Sequence, residues 1–470
     1  MEYMEKWILG ILEQERKNRK IPLEVKKLNE NYYLYKATTV WNKQEWRIKK
    51  VSEYIGRITP KGVIEKTKTH EIRSVYEYGN SYLLYELSKE IMIALKECFY
   101  EHWKEIIACS IVKTIDSVPL KLIKSKWEKL HLSRDINASL SPNTLGDILR
   151  IIGKDYASQK DFFNKLTDKS SRLIFDLSSI FSRSENLKLA DKWYNKEHLF
   201  LDQINFLLFF SQKKHLPVML HPLNGSVRDV KALNSTLDEI NIKNCILILD
   251  KGFASYKLPK ELKKLDSSFI LPFRRNFKVI NYKIKLENSF IYRERGVKWG
   301  VKKIGKNNLY LYEDVKLKAE EETTFLKLMQ DKKRTKIEYD NESKKFGKIA
   351  LLSDLKNGME VYLMWKDREN IEIAFDALKN ELENDKTYLS DDDAVRGYFF
   401  ISFISLYFYY KILNIIKEKK LTHKISVNEV LLELSRIYEV SYDNKKKLGP
   451  IPERVSKLMK NLGINLKHIP

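Results

Sequence analysis

The stretch RLIFDLSSIF, residues 172–181, decides the fold. It is a run of apolar and β-branched side chains carrying one acid, Asp176. Such a run reads as a strand. QINFLLFFSQ (203–212) and LPVMLHPL (216–223) read the same way. VRDVKALNSTLDEINI (227–242) then has the period of an amphipathic helix, CILILD (245–250) returns as a strand ending on Asp250, and SSFILPF (267–273) adds another. Three strands, a helix and two more strands, with acids ending the first and fourth, predict an α/β sheet. In open α/β sheets, function collects at strand ends that face the crevice.

That element order is the order of a ribonuclease H-like catalytic core, expected over residues 171–276 and 362–415. Between its two parts, residues 277–318 alternate apolar and charged side chains (KVINYKIKL, FIYRERGVKWGVKKI, LYLYEDVKLK), the period of antiparallel strands. A β-rich insertion is therefore expected over 277–361. Upstream, YYLYKATTVW (32–41) and EWRIKKVSEYIGRIT (45–59) predict a small β-unit within residues 1–75. NSYLLYELSKEIMIALKECFYEHWKEIIACSIVKTI (80–115) changes to apolar spacings of three and four. SLSPNTLGDILRIIG (139–153) opens on Ser-Pro like a capped helix. Residues 76–170 thus read as a helical DNA-binding region, in which Thr144 to Ile152 is either a DNA-reading helix or a plain packing helix. Residues 416–470 read as a basic helical C-terminal region.

Composition narrows the partner. The 470 residues hold 86 Lys and Arg against 63 Asp and Glu, a formal charge of +23. An excess that large and widely spread points to a polyanion, with nucleic acid the default. Cys98, Cys109 and Cys245 have no metal-type spacing and read as buried thiols, with neither disulfide nor zinc expected. The start of the chain lacks the pattern of a signal peptide. The longest apolar run, YFFISFISLYFYY (398–410), is too short to span a bilayer and reads as a buried core helix. A cytoplasmic, nucleoid-associated protein with no membrane partner is expected.

The segment WKDRENIEIAFDALKN (365–380) places Trp365, Arg368, Glu372 and Lys379 at spacings of 3, 4 and 7. On one α-helix those four side chains share a face. A solvated helix with ordinary charge pairs is the plain alternative. Together with Asp176 and Asp250, however, Glu372 completes a set of three acids. Converging carboxylates repel unless cations neutralise them, and hard oxygen ligands suit Mg²⁺ or Mn²⁺. Two such ions support in-line phosphoryl transfer at a phosphodiester. Glu369 and Asp376 lie close by but break the spacing.

These residues resemble the DDE transposases of bacterial and archaeal insertion sequences, specifically the group-four branch. That branch carries Tyr-x-x-Arg-x-x-x-Glu-x-x-x-x-x-x-Lys at its third motif. Trp365, Arg368, Glu372 and Lys379 keep every spacing, with Trp in place of Tyr. Asp250-Lys251-Gly252-Phe253 is similar to the second motif, and Asp176-Leu177-Ser178 stands at the first. The stretch LPVMLHPLNGSVRD (216–229) is also similar to the family's segment between the first two acids.

The resemblance implies a prokaryotic transposase with Asp176, Asp250 and Glu372 as catalytic, metal-binding acids. It implies two Mg²⁺ or Mn²⁺ ions, cleavage at terminal inverted repeats, and transfer of the 3′ ends into target DNA. Arg368 and Lys379 would grip double-stranded DNA, with Trp365 beside them in a role the substitution leaves open. Trp299 is the candidate to stack on an extruded base, a core tryptophan being its plain reading. Arg274 and Arg275 are candidate phosphate contacts or surface charges. Pairing of two ends implies a homodimer in the DNA complex.

Other chemistries find no support. His221 has no ligand partner at suitable spacing and reads as structural. Ser182, Ser184 and Glu185 form no G-x-S-x-G elbow, and no P-loop indicates ATP. Two alternatives remain open on sequence alone. One is a metal-dependent nuclease of the same fold that cuts without joining. The other is a non-catalytic DNA-binding protein derived from a transposase.

Overall fold

The computed structural model describes residues 5–42, 46–66, 72–167, 172–182, 184, 186–194, 200–223, 246–249, 251, 267–382, 386–387, 389, 391–442 and 445–466. The chain divides into two compact units, residues 1–74 with 441–445, and residues 75–440 with 446–470.

The first unit opens on the helix Lys6–Arg19, which turns Ile8 and Leu12, one helical turn apart, into a small core. Four antiparallel strands follow in the order β1 (Leu23–Leu28), β2 (Asn31–Asn42), β3 (Arg47–Thr59), β4 (Gly62–Glu65). Leu23, Tyr32, Leu34 and Ile58 complete that core. Gly56 is required where β3 and β4 meet, because a Cβ there would lie 2.3 Å from the carbonyl oxygen of Ile64. β1 and β4 are short, pairing with β2 only up to Lys36 and with β3 only from Gly56 onward. Beyond them, among the described residues, Thr38–Asn42 and Arg47–Val51 pair only with each other, as a two-stranded ribbon.

After β5 (Ile72–Glu77), the second unit continues with the helices Gly79–Cys98 and Trp103–Ile115, matching the period of residues 80–115. Ser141 caps the helix Pro142–Lys154 by accepting from the Thr144 N–H, with Pro142 at the first helical position. That helix packs hard against the long helix Asp392–Glu418. A Cβ on Gly153 would lie 1.7 Å from the Asp393 carbonyl oxygen, and one on Gly397 would lie 2.0 Å from that of Leu149. One face of this helix is thus given over to packing.

The apolar run at 398–410 forms part of that 27-residue helix, longer than the run alone indicates. By length and composition the helix would cross a membrane, yet 72% of its most apolar window is buried inside the protein. It is a core helix.

An eleven-stranded sheet, counted among the described residues, organises this unit. Its strands are β6 (Arg172–Ser182), β7 (Asp191–Tyr194), β8 (Phe200–Ser211), β9 (Leu216–Leu223), β10 (Ile246–Ile248), β11 (Ser268–Phe273), β12 (Asn288–Tyr292), β13 (Arg295–Ile304), β14 (Asn307–Asp314), β15 (Lys348–Ser353) and β16 (Lys386–Thr387). The spatial order β9–β8–β6–β10–β11 is antiparallel across its first three strands and parallel across its last three. All five strands expected between residues 172 and 273 are present. The expected helix 227–242 lies outside the described residues, as does Cys245. Cys98 and Cys109 are free thiols, Cys109 buried as expected and Cys98 only half-buried.

The expected alternation over 277–318 needs correction. Residues 277–287 form no strand. Phe277 stacks on Phe273 at 4.9 Å, and the Lys285 carbonyl crosses Gly300 so closely that a Cβ there would lie 2.0 Å away. That crossing replaces edge pairing. Strands run instead from Asn288 to Asp314, and from there the helix Val315–Gln330 begins with the Asp314 side chain accepting from the Leu317 N–H. β15 pairs antiparallel with both β14 and β11, so β12–β15 extend the central sheet edge to edge.

Candidate active site

Asp176 stands in the middle of β6, half-buried, and not at the strand end expected from the sequence, because pairing with β8 continues past it to Phe181. In register with β8 it lies opposite Leu208, while Ile174 lies opposite Phe210 and Ser178 opposite Phe206. Alternate residues of a strand share a face, so these six lie on one side of the sheet. Phe206 meets Phe375 at 5.6 Å and Phe399 at 5.5 Å, and Phe210 meets Tyr410 at 5.1 Å. The helices Glu369–Asp376 and Asp392–Glu418 therefore cover the face that carries Asp176. Glu372 belongs to the first of these.

The third motif departs from a single regular helix. Trp365 lies in the last turn of the helix Gly358–Lys366, and Arg368 occupies a tight junction before the helix Glu369–Asp376. There the Arg368 N–H donates to Trp365 O, and the Ile371 N–H to Arg368 O, each only three residues back. Lys379 lies in a wider π-type turn, Ala377–Glu381. A 3₁₀ junction overwinds the chain and a π turn underwinds it, so the four side chains follow no ideal stripe. Arg368 and Glu372 do share a face: the guanidinium donates to the carboxylate at 2.9 Å. The Arg368 side chain is 19% exposed and that of Glu372 57%.

The junction is pinned to the sheet by a residue that the motif does not include. Gln212, just past the end of β8, donates through its side-chain amide to the Asp367 carboxylate at 2.5 Å. Its own N–H donates to the Arg172 carbonyl on β6. The Tyr410 hydroxyl donates to the Asn370 carbonyl at 3.2 Å. Gln212 and Asp367 are 155 residues apart, and no spacing links them. The only sequence signal was a polar residue ending an otherwise apolar strand.

Beneath the motif lies an aromatic cluster. Tyr362 packs against Trp365 at 5.9 Å, Tyr292 at 5.7 Å and Phe290 at 5.4 Å. Burial raises the Tyr362 hydroxyl well above its usual range. The hydroxyls of Tyr362 and Tyr292 and the indole N–H of Trp365 are buried without a hydrogen-bond partner among the described residues. The Trp365 donor therefore faces protein rather than solvent. The competing acids are engaged elsewhere, Glu369 with Arg293 at 3.1 Å and Asp376 with Asn380 at 2.5 Å.

The remaining candidates separate. Trp299 lies half-buried on β13 with its ring against Gly358, where a Cβ would lie 2.5 Å from Trp299 Cζ3. It also meets Tyr310 at 5.8 Å. Arg275 forms a two-pronged pair with Glu321 at 2.8 and 3.0 Å and donates to the Lys348 carbonyl, a structural engagement. Arg274 is exposed. His221 meets the Tyr156 ring at 5.1 Å at the margin of a cavity of about 620 Å³ that Lys154 and Arg396 also line.

Asp250 lies outside the described residues, together with Gly252 and Phe253. In sequence it follows Ile248 by two positions, as Asp176 follows Ile174, and Ile248 pairs with Ile174 across β10 and β6. Among the described residues no three acids, histidines or cysteines converge to hold a metal ion.

The profile of the family described as Transposase DDE domain matches residues 169–408, just over half of the chain, and the protein belongs to that family. It is accordingly an enzyme of DNA transposition, a nuclease and polynucleotidyl transferase of a class that works with divalent metal ions. Among solved structures, the chain is similar to piggyBac transposase in its synaptic complex with hairpin DNA, seen by cryo-EM. The identity is 11% and the TM-score 0.40, over 76% of this chain and 78% of that one. No curated protein sequence matches the chain.

Proposed function

We propose that this enzyme cuts DNA at the terminal inverted repeats of an insertion sequence and joins the freed 3′ ends to target DNA. In this reading the core is ribonuclease H-like. The strand order β9–β8–β6–β10–β11, three antiparallel then parallel, supports that assignment. The observation that carries the function is the shared sheet face: Asp176 and the helix bearing Glu372 lie on the same side of β6 and β8.

Asp176, Asp250 and Glu372 would hold the metal ions, Mg²⁺ or Mn²⁺, through hard carboxylate oxygens. When bound, two such ions activate a water or a 3′-hydroxyl and offset charge on the leaving oxygen. Glu372 has the exposure such a ligand needs, and Arg368 beside it orients the carboxylate. Arg368 and Lys379 would supply the cations that contact a DNA phosphate beside the carboxylates. Gln212 and Asp367 hold the junction that aims both. Trp299 has its ring against Gly358, which supports packing more directly than base stacking. Pairing of two ends calls for a homodimer on DNA, and the absence of a P-loop fits chemistry without ATP. A nucleoid location follows from that substrate.

The test is cleavage of duplex DNA carrying the element's ends, in Mg²⁺ or Mn²⁺, with wild type and Glu372→Gln. The substitution keeps shape and removes charge. Wild type should nick at the element boundary while the variant binds without cutting. Equal cutting by the variant would remove Glu372 from the site.

A further inference from the structure

We infer that the two-stranded ribbon of the N-terminal unit, Thr38–Asn42 paired with Arg47–Val51, enters a groove of duplex DNA. The inference rests on DNA being the substrate and concerns a different part of the chain from the acids.

An isolated β-ribbon in water is marginally stable, and exposed apolar side chains add to its cost. Yet this ribbon carries Trp41 at 53%, Ile48 at 67% and Trp46 at 82% exposure. Trp46 also sits in the left-handed region, with φ of 46°, a strained conformation for a bulky residue. No packing among the described residues accounts for that combination, whereas a partner that covers Trp41, Trp46 and Ile48 does.

Charge names the partner. Residues 38–51 hold Lys43, Arg47, Lys49 and Lys50 against a single acid, Glu45. Lys50 is drawn back to Glu24 on β1, whose carboxyl Lys50 and Ser52 hold down to about 2. Trp41 and Ile48 pair across one face of the ribbon, and Val40 and Lys49 across the other. Each face therefore mixes an apolar patch with a cation or lies beside one.

Shape agrees. Five residue pairs extend about 17 Å. The major groove of B-DNA is about 12 Å wide and 8.5 Å deep, and it admits a two-stranded ribbon. Cations along the strands would meet the phosphates while the tryptophans reach base edges.

The test uses the full-length protein in EDTA, with two fluorescein-labelled duplexes of equal length, one carrying the element's end and one of scrambled sequence. Arg47→Glu/Lys49→Glu should weaken binding to both by at least about 10-fold and lower the salt slope by about 2. Trp46→Ala should weaken binding by about 5-fold with an unchanged slope. None of these side chains lies in the core of Ile8, Leu12 and Leu34, so far-UV circular dichroism should be unaltered.

Unchanged affinity and slope in the charge variant would overturn the inference. So would a loss of self-association without loss of DNA binding, which would assign the ribbon to a second copy of the chain. A silent Trp46→Ala would overturn groove entry. Because binding is read without metal, failure here is separate from failure of the cleavage reading, where binding persists and cutting does not.

Discussion

The central sheet and the N-terminal sheet use the same strand chemistry with opposite consequences. In the central sheet, Leu173, Ile174, Phe175, Phe206, Leu207, Leu208, Phe209 and Phe210 are fully buried, so both faces of β6 and β8 are covered. In the N-terminal sheet the buried side chains among the described residues are Leu23, Tyr32, Leu34 and Ile58, and β2 and β3 run on past their neighbours with tryptophans in solvent. Strands covered on both faces read as continuous apolar runs, whereas those covered on one face alternate. The difference teaches where rigidity and reach reside. The central sheet fixes the position of an acid, and the N-terminal sheet presents a surface.

The contrast can be broken first at its strongest point. Phe206 touches Phe375 and Phe399, so Phe206→Ala should cost about 3–5 kcal/mol and loosen the Glu372 helix. Leu34→Ala should cost about 2–5 kcal/mol but act on the N-terminal core. Hydrogen exchange on both variants is the measurement. Faster exchange across the whole chain in Leu34→Ala would show that the two regions do not differ in the way described.

A second prediction concerns pH. Burial pushes the Glu77 carboxyl up to about 7, against the Asn80 amide and the charges of Lys126 and Lys129. Between pH 4.5 and 7 the folded state holds a proton that the unfolded state has lost. Stability should therefore fall as pH rises through this window, by on the order of 3 kcal/mol, and level off above it. Glu77→Gln should flatten that slope in urea titrations at several pH values. A slope unchanged by the substitution would assign it to other groups.

The smallest effect lies under the third motif. Among the described residues the buried Tyr362 hydroxyl has no partner, so Tyr362→Phe should stabilise the protein by about 1 kcal/mol. Thermal unfolding checks it. A loss of similar size would mean that the hydroxyl is hydrogen-bonded in solution and that the cluster is wetter than the geometry shows.

The sequence made the core strands legible because burial on two faces leaves little choice of residue. Ser141 and Pro142 marked a helix start through chemistry confined to four residues. The bend at Asp367 was not legible, because the residue that pins it, Gln212, lies just past a distant strand and a helical period continues through the motif. The segment 278–286 misled for a related reason. Its alternation is real, but a backbone crossing at Gly300 takes the place that strand pairing would occupy. Of the candidate acids, Asp176 and Glu372 could be placed on a shared sheet face, a relation that spacing alone could not supply.

The position of β15 sets a clock for synthesis. β11 ends at Phe273, but the strand that covers its free edge begins only at Lys348. At ribosomal speeds of about 5–20 residues per second, that edge waits roughly 4–15 s for its partner. During this interval a buried-type strand, SFILPF, offers unpaired backbone groups to any neighbouring chain. The architecture that later extends the sheet thus makes the nascent enzyme dependent on the pace of its own translation.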